Sequence, residues 1–254
     1  MTKVLKQLVA LCGALTLLPA QTGANLPKLN PAQLPKESFT YGIEWKLINA
    51  GTAKMTYTPL PRTGELKLRL ESSGLVSKFI RVGDEYTSTM GTNLCAQNTF
   101  LSTHEGSRNK ETRVTYDTRA KKAIYQEKDL VKKTTSNQSV DIPPCAFDVL
   151  GGLWILRNLN LEPGKSTTIP VSDGKKMAWA KVDALRREEL KTVTGPKKAV
   201  VYEIFLFNNV IYRKSGHLHV WLSDDARRVP LQVQIRLQFT VGTVTFKLEK
   251  EEKL

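Results

Sequence analysis

The stretch LQVQIRLQFTVGTVTFKL, residues 231–248, decides the fold class. Apolar residues occupy every second position of its first half: Leu231, Val233, Ile235, Leu237 and Phe239. Successive side chains of a β-strand point to opposite faces of a sheet, so this alternation predicts a strand with one buried face. Val241-Gly242 predicts a tight turn into a second strand that begins at Thr243. The stretch as a whole therefore predicts a β-hairpin.

The same alternation recurs along the rest of the chain. It is clear from Phe39 to Leu47, and Asn49-Ala50-Gly51 predicts a break before the pattern resumes at Ala53. Further strands are predicted over residues 66–70, 76–80, 86–90, 113–116, 122–127, 167–171, 177–182, 200–207 and 216–222. About ten to twelve strands without alternating helices favour a mainly β domain, built as a curved antiparallel sheet or an incomplete β-barrel.

One stretch, CAFDVLGGLWILRNLN at residues 145–160, breaks the two-residue period. Apolar residues recur there at helical spacing and cover more than one side of the predicted helix: Phe147, Leu150, Leu153, Trp154 and Leu156. Gly151 and Gly152 cost such a helix roughly 1 kcal/mol each relative to alanine, and they permit a kink or the close approach of a strand. The pattern predicts a buried helix from about Cys145 to Leu159, wrapped by the sheet of a single domain over residues 39–254.

The N-terminus is typical of a secretory signal peptide. Lys3 and Lys6 precede an apolar run over residues 8–18, and small residues follow up to Ala24. The run is 11 residues long, whereas a membrane-spanning helix needs about 18 or more apolar residues. We therefore expect cleavage near Ala24 and export to the periplasm of a Gram-negative envelope. An extended, proline-rich leader over residues 25–38 is expected to precede the domain.

Export would determine the chemistry of the cysteines. Cys12 lies in the middle of the predicted signal peptide, away from the position that a lipidated cysteine occupies, so we expect no lipid anchor. Cys95 and Cys145 remain after cleavage, and an even number of cysteines in an exported protein predicts a disulfide. Two separate buried thiols are the alternative.

The chain is strongly basic, with a formal net charge of +14. Such an excess favours nucleic acid or an anionic surface as a partner. Export removes nucleic acid from reach, which leaves anionic lipid headgroups, glycolipid phosphates and acidic glycans. Basic pairs recur near predicted turns: Lys121-Lys122, Lys132-Lys133, Lys175-Lys176, Arg186-Arg187, Lys197-Lys198 and Arg227-Arg228. Either these pairs only make the turns soluble, or several of them share one end of a barrel and form a basic rim.

Few residues could carry metal or catalytic chemistry. His217 and His219 share one face of a predicted strand and could bind a metal ion with His104, but no carboxylate stands at a clear spacing. Cys145 could be activated at a helix start, although no histidine is marked as its base. Asp224-Asp225 is more typical of a turn than of an acid pair. The chain lacks a nucleophile elbow, a Walker loop and a dinucleotide fingerprint. We predict a non-enzymatic protein without a cofactor.

Three segments carry a resemblance to a known family: YGIEWKLINAGTAKMTY at residues 41–57, FDVLGGLWILRNLNLEPGKSTTIPVSDGKK at 147–176 and HVWLSDDARRVPLQVQIRLQFTVGTVTFKLE at 219–249. The chain resembles an exported bacterial family of unknown function, numbered 3108, at three places. These are the turn at Gly51, the helix end at Arg157 with Pro163-Gly164, and the pair of strands after Val220. Gly151-Gly152 departs from its pattern. The resemblance implies an exported protein with a layout similar to periplasmic lipoprotein carriers, in which a curved antiparallel sheet wraps a helix and an apolar cavity.

These features lead to one leading hypothesis and two alternatives. We expect the protein to bind an amphipathic anionic envelope molecule, a lipid or glycolipid, with the acyl part inside and the headgroup at a basic rim. The candidate binding residues form an apolar wall and a set of three cations: Trp45, Leu150, Trp154, Arg157, Arg227 and Arg228. A filled core shows the same alternation as a cavity. The alternatives are an envelope scaffold that binds another protein and, less favoured, a hydrolase of envelope glycans or lipids. Peripheral membrane contact and the oligomeric state are left open.

Overall fold

The computed structural model describes residues 28–213, 215–237 and 242–254. The predicted signal peptide, its cleavage site and Val241 of the predicted tight turn lie outside the described residues. Within them, fourteen strands form one antiparallel sheet. The strands are β1 (Glu37–Trp45), β2 (Ile48–Pro59), β3 (Gly64–Ser72), β4 (Gly83–Met90), β5 (Ala96–Glu105), β6 (Arg108–Asp117), β7 (Lys122–Asp129), β8 (Thr134–Asp141), β9 (Ser166–Ser172), β10 (Met177–Thr192), β11 (Gly195–Ile204), β12 (Gly216–Ser223), β13 (Pro230–Leu237) and β14 (Gly242–Lys253).

Two short α-helices accompany the sheet, α1 (Gly74–Phe79) and α2 (Val149–Ile155). Single 3-10 turns lie at Pro31–Gln33, Thr92–Leu94 and Leu156–Asn158. In the described ranges no helix combines the length and apolar character needed to cross a membrane.

The sheet consists of two meanders that meet through its first and last strands. Strands β1 to β8 follow one another in space as in sequence, as do β9 to β14, and β1 pairs with β14. Ile43 lies opposite Phe246 in that junction. Val233 lies opposite Phe246 in the last hairpin, so the alternation at residues 231–237 does place one apolar face on one side of the sheet. Short connections favour this antiparallel arrangement of neighbours.

The two edge strands, β8 and β9, do not pair with each other, but the end of β9 and the turn that follows it contact the inner face of β6 and β7. Tyr116 of β6 donates its hydroxyl to the carbonyl of Ser172 at the end of β9, at 2.8 Å. Lys175 follows in the β9–β10 turn, and its Nζ lies 4.4 Å from the ring centroid of Tyr125 on β7. The sheet is therefore a curled, incomplete barrel, as the sequence predicts.

Helix α2 lies inside this barrel. Its N-cap is Asp148, whose Oδ1 accepts hydrogen bonds from the backbone N–H groups of Leu150 and Gly151, both at 3.0 Å. The helix therefore begins at Val149, and the prediction of a start near Cys145 is wrong. The preceding residues are extended, because Phe147 N donates to the carbonyl of Pro170 in β9 at 2.8 Å. Leu150, Trp154 and Ile155 are all buried.

Two local predictions are corrected by the structure. The first hairpin turns at Lys46 and Leu47, which have φ values of 49° and 68°, and β2 already includes Asn49 to Gly51. Leu47 is consequently 92 % exposed and does not belong to the inward face. Residues 76–80 form most of α1 and its C-cap rather than a strand, after Gly74 enters with a φ of +60°.

The described part of the predicted leader, residues 28–36, packs against the barrel. Tyr57 donates its hydroxyl to the carbonyl of Pro31 at 2.7 Å, and Pro31 is buried. Leu29 accepts a backbone hydrogen bond from Asn93 N at 2.8 Å. The segment therefore closes one end of the barrel, where a 3-10 turn replaces the fully extended chain that the prolines predict.

Candidate functional site

The space between α2 and the sheet contains an apolar compartment of about 350 Å³. Its walls are aliphatic and aromatic: Tyr41, Ala53, Met55, Leu68, Leu70, Val149, Leu150, Leu153, Trp154, Leu206, Phe207, Tyr212, Leu218, Val220, Pro230, Val233, Ile235 and Phe246. Tyr41 presents no free hydroxyl there, because its Oη donates to the carbonyl of Pro230 at 3.0 Å. The volume lies within the range of small-molecule pockets, about 300–1,000 Å³. The interior next to α2 is thus a cavity rather than a filled core.

A second, charged compartment of about 560 Å³ adjoins the first. The two share six wall residues, namely Leu68, Leu70, Val149, Leu150, Leu153 and Tyr212. The rest of the second wall carries three cations and three acids: Arg108, Lys110, Lys175, Asp84, Glu127 and Asp173. Lys175 is exposed, so this compartment reaches the protein surface. The apolar and the charged compartment thus lie side by side in the interior. We refer to the two together as the cavity.

The charged residues are fixed by one another. Lys110 Nζ lies 2.7 Å from Glu127 Oε1 and 3.7 Å from Asp129 Oδ2, and Lys175 Nζ lies 3.8 Å from Glu127 Oε2. Tyr125 donates its hydroxyl to the same Oε2 at 2.7 Å. Burial alone would raise the pKa of Glu127, but the hydrogen bonds from Lys110 and Tyr125 outweigh it and lower the pKa below 4.5. Glu127 is therefore an anion at neutral pH, held between two lysines.

Lys175 keeps its charge for a related reason. Burial would lower its pKa, yet the contacts with Tyr125 and Glu127 outweigh that effect and raise the pKa above 10.5. Asp84 behaves in the opposite way, because burial raises its pKa above 3.8 despite the backbone N–H of His104. The wall at neutral pH thus offers both signs of charge to a polar group.

Asp148 fixes the helix that divides the interior. Besides capping α2, its Oδ1 accepts from Tyr86 Oη at 3.0 Å, and its Oδ2 accepts from Ser88 Oγ at 2.6 Å. A Cβ on Gly152 would lie 3.3 Å from a methyl group of Val171, so this glycine allows the helix to pack closely on β9. These contacts hold Val149, Leu150 and Leu153 in the wall of the cavity.

The structure brings two of the predicted apolar residues to the cavity. Leu150 lines both compartments and Trp154 lines the apolar one, where it stacks on Tyr57 with ring centroids 5.3 Å apart. Trp45 lies at the end of β1, with Lys46 Nζ 5.2 Å from its ring centroid. Trp45 is not among the residues that line either compartment.

The three predicted arginines lie together, away from the charged compartment. Arg157 Nη1 donates to Glu37 Oε2 at 2.7 Å, and its Nη2 and Nε donate to the carbonyls of Arg227 and Arg228 at 3.0 and 3.2 Å. Arg227 also pairs with Glu251, and Arg228 contacts the hydroxyl of Tyr202. Contact of these arginines with a ligand headgroup stays a prediction, and their observed partners belong to the protein itself.

The other sequence candidates have structural partners as well. His217 Nδ1 lies 2.6 Å from Glu203 Oε1, and the His217 and His219 rings stack with centroids 6.2 Å apart on the face that carries Trp221. Across the described ranges, no group of three or more His, Cys, Asp or Glu side chains is placed to bind a metal ion. Cys145 forms a disulfide with Cys95, which confirms that prediction and leaves neither of these two cysteines with a free thiol.

Sequence reasoning missed Lys110 and Glu127, and it offered Lys175 only as one of the basic pairs. Lys110 lies at the same strand parity as buried Val114 and Tyr116, and Glu127 at that of buried Tyr125, so membership of this inward face is the sequence signal for both.

An open β-barrel around one short helix defines the chain as a β-barrel-like domain with an internal cavity. The chain belongs to the family described as "Protein of unknown function (DUF3108)", whose profile matches residues 40–249. Among curated proteins none matches the chain.

Two solved structures are similar to this fold. One is a β-barrel-like protein with a domain of unknown function, DUF1849, from Brucella abortus. It has a TM-score of 0.57 and 8 % identity, with 87 % of this chain and 98 % of that chain covered. The other is from Bacteroides fragilis, and its description assigns it a YmcC-like fold. It has a TM-score of 0.38 and 10 % identity, with 87 % and 97 % covered. The Brucella protein supports the β-barrel-like fold alone.

Proposed function

We propose that the protein is an exported, non-enzymatic binding protein for an amphipathic molecule of the cell envelope, a lipid or a glycolipid. The observation that carries the proposal is that an apolar compartment adjoins a charged one, with six residues lining both, among them Leu150 and Leu153. Apolar ligand surface gains roughly 25 cal/mol for each Å² removed from water, so an acyl chain is favoured in the first compartment.

The headgroup would occupy the charged compartment. Lys110 and Lys175 would face a phosphate or carboxylate, while Glu127, Asp84 and Asp173 would face an ammonium or hydroxyl groups. Because three cations and three acids line this space, a headgroup with both charges or with several hydroxyls fits it better than a purely anionic one. This refines the expectation of an anionic headgroup at a basic rim.

Two further observations support export and binding rather than catalysis. The Cys95–Cys145 disulfide is typical of proteins in an oxidising compartment, in agreement with the predicted signal peptide. The acid pair that a hydrolase would require is not formed by Asp224 and Asp225. Asp224 pairs with Arg187, and Asp225 accepts hydrogen bonds from Ser223 and the following turn.

Native mass spectrometry of the protein purified from the periplasm tests the proposal. We expect a lipid or glycolipid adduct near one-to-one, identified by organic extraction, and loss of that adduct in Leu153→Trp, which fills the apolar compartment. Val193→Trp is the matched control, since Val193 is an exposed residue of the β10–β11 turn. Thermal unfolding checks that both variants fold. A clean apo mass, with no uptake of a fluorescent lysolipid afterwards, would contradict the proposal.

An envelope scaffold is the second candidate function, and the edge strand β8 favours it. Seven of its eight residues are exposed, and one side of its backbone has no strand partner. Such an edge can accept a strand from another protein. Crosslinking in cells tests this. Asn137→Pro removes a backbone N–H that points away from β7 and so blocks an added strand, and it should abolish a crosslinked product that Asn137→Ala keeps. Products unchanged in Asn137→Pro would reject β8 as the docking strand.

A further inference from the structure

The mouth end of the barrel exposes a cluster of large apolar side chains. We define the mouth end as the end of the sheet where β1 meets β2, β3 meets β4 through α1, β5 meets β6, and β7 meets β8. Leu47 and Phe79 there are 92 % and 86 % exposed. With their exposed neighbours they form a surface that we call the lip: Leu47, Ile48, Leu75, Phe79 and Ile80.

The lip is one continuous surface because the first hairpin and α1 pack together. Ser73 N donates to the carbonyl of Ala50 at 3.0 Å, and Ser73 Oγ lies 3.4 Å from Asn49 Oδ1. These bonds place the start of α1 beside the turn that carries Leu47. Large apolar patches on a protein surface mark contacts with a partner or a membrane.

The lip is flanked by positive charge without any acid of its own. Exposed Lys46, Lys78 and Arg81 lie within its two segments, residues 45–48 and 73–82, which contain no Asp or Glu. The β7–β8 turn at the same end repeats the combination, with exposed Leu130 and Val131 followed by two lysines. At the opposite end, the β2–β3 turn exposes Leu60 and the β10–β11 turn exposes Val193, each a single large apolar residue. The cluster of five exposed apolar side chains therefore lies at the mouth end.

The charged compartment also lies at the mouth end. Asp84 is the second residue of β4 and Arg108 is the first of β6. The register of the strands brings these two positions to the same end as the lip, since Leu70 pairs with Asp84 and Gly51 pairs with Ser72. A surface in contact with the lip would thus lie beside the part of the compartment wall that carries Asp84 and Arg108.

We propose that the mouth end docks on an anionic lipid bilayer, with the lip inserted among the headgroups and the cations above them. Binding of such surfaces grows with the apolar area inserted and with attraction to anionic lipid. A protein partner would be matched by a more mixed surface, whereas the lip segments combine exposed apolar side chains with cations. The acids that border them, Glu44, Glu71 and Glu105, are paired with Lys247, Arg69 and Arg108. The proposal concerns the outer surface and does not depend on a ligand in the cavity.

Vesicle flotation of the full exported chain tests the docking. Vesicles of phosphatidylcholine alone are compared with vesicles containing about one-third phosphatidylglycerol, at low and at physiological salt. We expect binding to the mixed vesicles that weakens as salt is added. Leu47→Ser with Phe79→Ser should reduce the partition coefficient about tenfold or more, and Lys78→Gln with Arg81→Gln about tenfold at low salt.

The controls come from the opposite end of the barrel. Val193→Ser removes an exposed apolar residue, and Lys197→Gln with Lys198→Gln removes two exposed cations. Both should bind vesicles like the unmodified protein, and all variants should keep its melting temperature. Equal binding of the lip variant and the unmodified protein would overturn the proposal. The membrane proposal would also be overturned if the protein bound no vesicles and sedimented as a dimer that the lip variant dissociates. The lip would then be covered by a second copy of the chain.

Discussion

Arg157 and Glu37 form a nearly buried ion pair, with Arg157 Nη1 2.7 Å from Glu37 Oε2 and side chains only 10 % and 4 % exposed. Arg157 follows α2, and Glu37 begins β1, so the pair joins the internal helix to the centre of the sheet. The guanidinium also lies 4.4 Å from the ring centroid of Trp154. A residue that the sequence suggested for ligand binding therefore holds the helix in place.

Arg157→Ala should destabilise the fold strongly. Removing one partner of a buried ion pair typically costs about 3–5 kcal/mol. Arg227 Nη2 remains 3.4 Å from Glu37 Oε1 and would compensate part of the charge, so we expect a loss near the lower end of that range. Urea unfolding at neutral pH measures this loss. Arg186→Ala is the control, because Arg186 pairs with Glu188 on the surface and should cost about 1 kcal/mol or less. Similar losses in the two variants would mean that the Arg157 pair contributes no more than a surface contact.

Asp148→Ala should also lower the free energy of unfolding, by at least about 2 kcal/mol. The substitution removes the N-cap of α2 and leaves the hydroxyls of Tyr86 and Ser88 without their acceptor. Asp117→Ala is the matched control. Its carboxylate accepts two backbone N–H groups in an exposed turn, from Arg119 and Ala120, with no buried hydroxyl among its partners.

The Asp148 prediction extends to the cavity. If the variant stays folded at low temperature, α2 should shift and uptake of a lysolipid should fall, while Asp117→Ala takes it up normally. Full stability and full uptake in Asp148→Ala would show that the carboxylate does not position the helix.

The stability of the protein should fall as the pH decreases through the range of histidine. Burial lowers the pKa of His219 below 6.5, and although Glu203 opposes this, His217, Arg186 and Arg236 reinforce it. His219 therefore binds a proton more readily in the unfolded chain than in the folded one. Its contribution to the free energy of unfolding is complete above pH 6.5 and is lost progressively below that value.

Urea unfolding at intervals from about pH 8 to about pH 5.5 checks the sign of this effect. In His219→Gln the slope of unfolding free energy against pH should be smaller over that range. His104→Gln is the control, as His104 lies in an exposed strand end. A slope that stays the same in His219→Gln would assign the pH dependence to other groups.

The sequence predicts the architecture well because the signal is local. Alternation such as that of Val233 and Ile235 reports which face of a strand is buried, and the helical spacing around Trp154 reveals the one buried helix. Helix boundaries are less accessible: Asp148 resets the start of α2 through its capping bonds, which the apolar pattern does not encode.

The charged compartment could not be predicted in the same way. Lys110 and Glu127 are diagonal neighbours across the β6–β7 hairpin. Lys175 comes from a turn far along the chain, and it meets them only because the sheet curls. That curl depends on the twist and register of fourteen strands. A basic pair such as Lys175-Lys176 shows that charge is present, but not which carboxylates it faces.

Glu127→Gln should change which headgroup the cavity prefers. The carboxylate between Lys110 and Lys175 neutralises much of their charge, and glutamine keeps the size of the side chain while removing that anion. An anionic lysolipid, lysophosphatidylglycerol, should therefore gain about fivefold or more in affinity relative to zwitterionic lysophosphatidylcholine of the same acyl length. Competition against a fluorescent lysolipid measures the ratio.

Glu111→Gln is the control, since Glu111 is next to Lys110 on β6 but pairs with Arg113 and is absent from the cavity wall. A ratio that changes equally in both variants would reflect only the net charge of the protein, and a ratio unchanged in Glu127→Gln would place the headgroup outside the charged compartment. A change confined to Glu127→Gln would locate the headgroup between the two lysines, because only a headgroup at that position lies next to the side chain of residue 127.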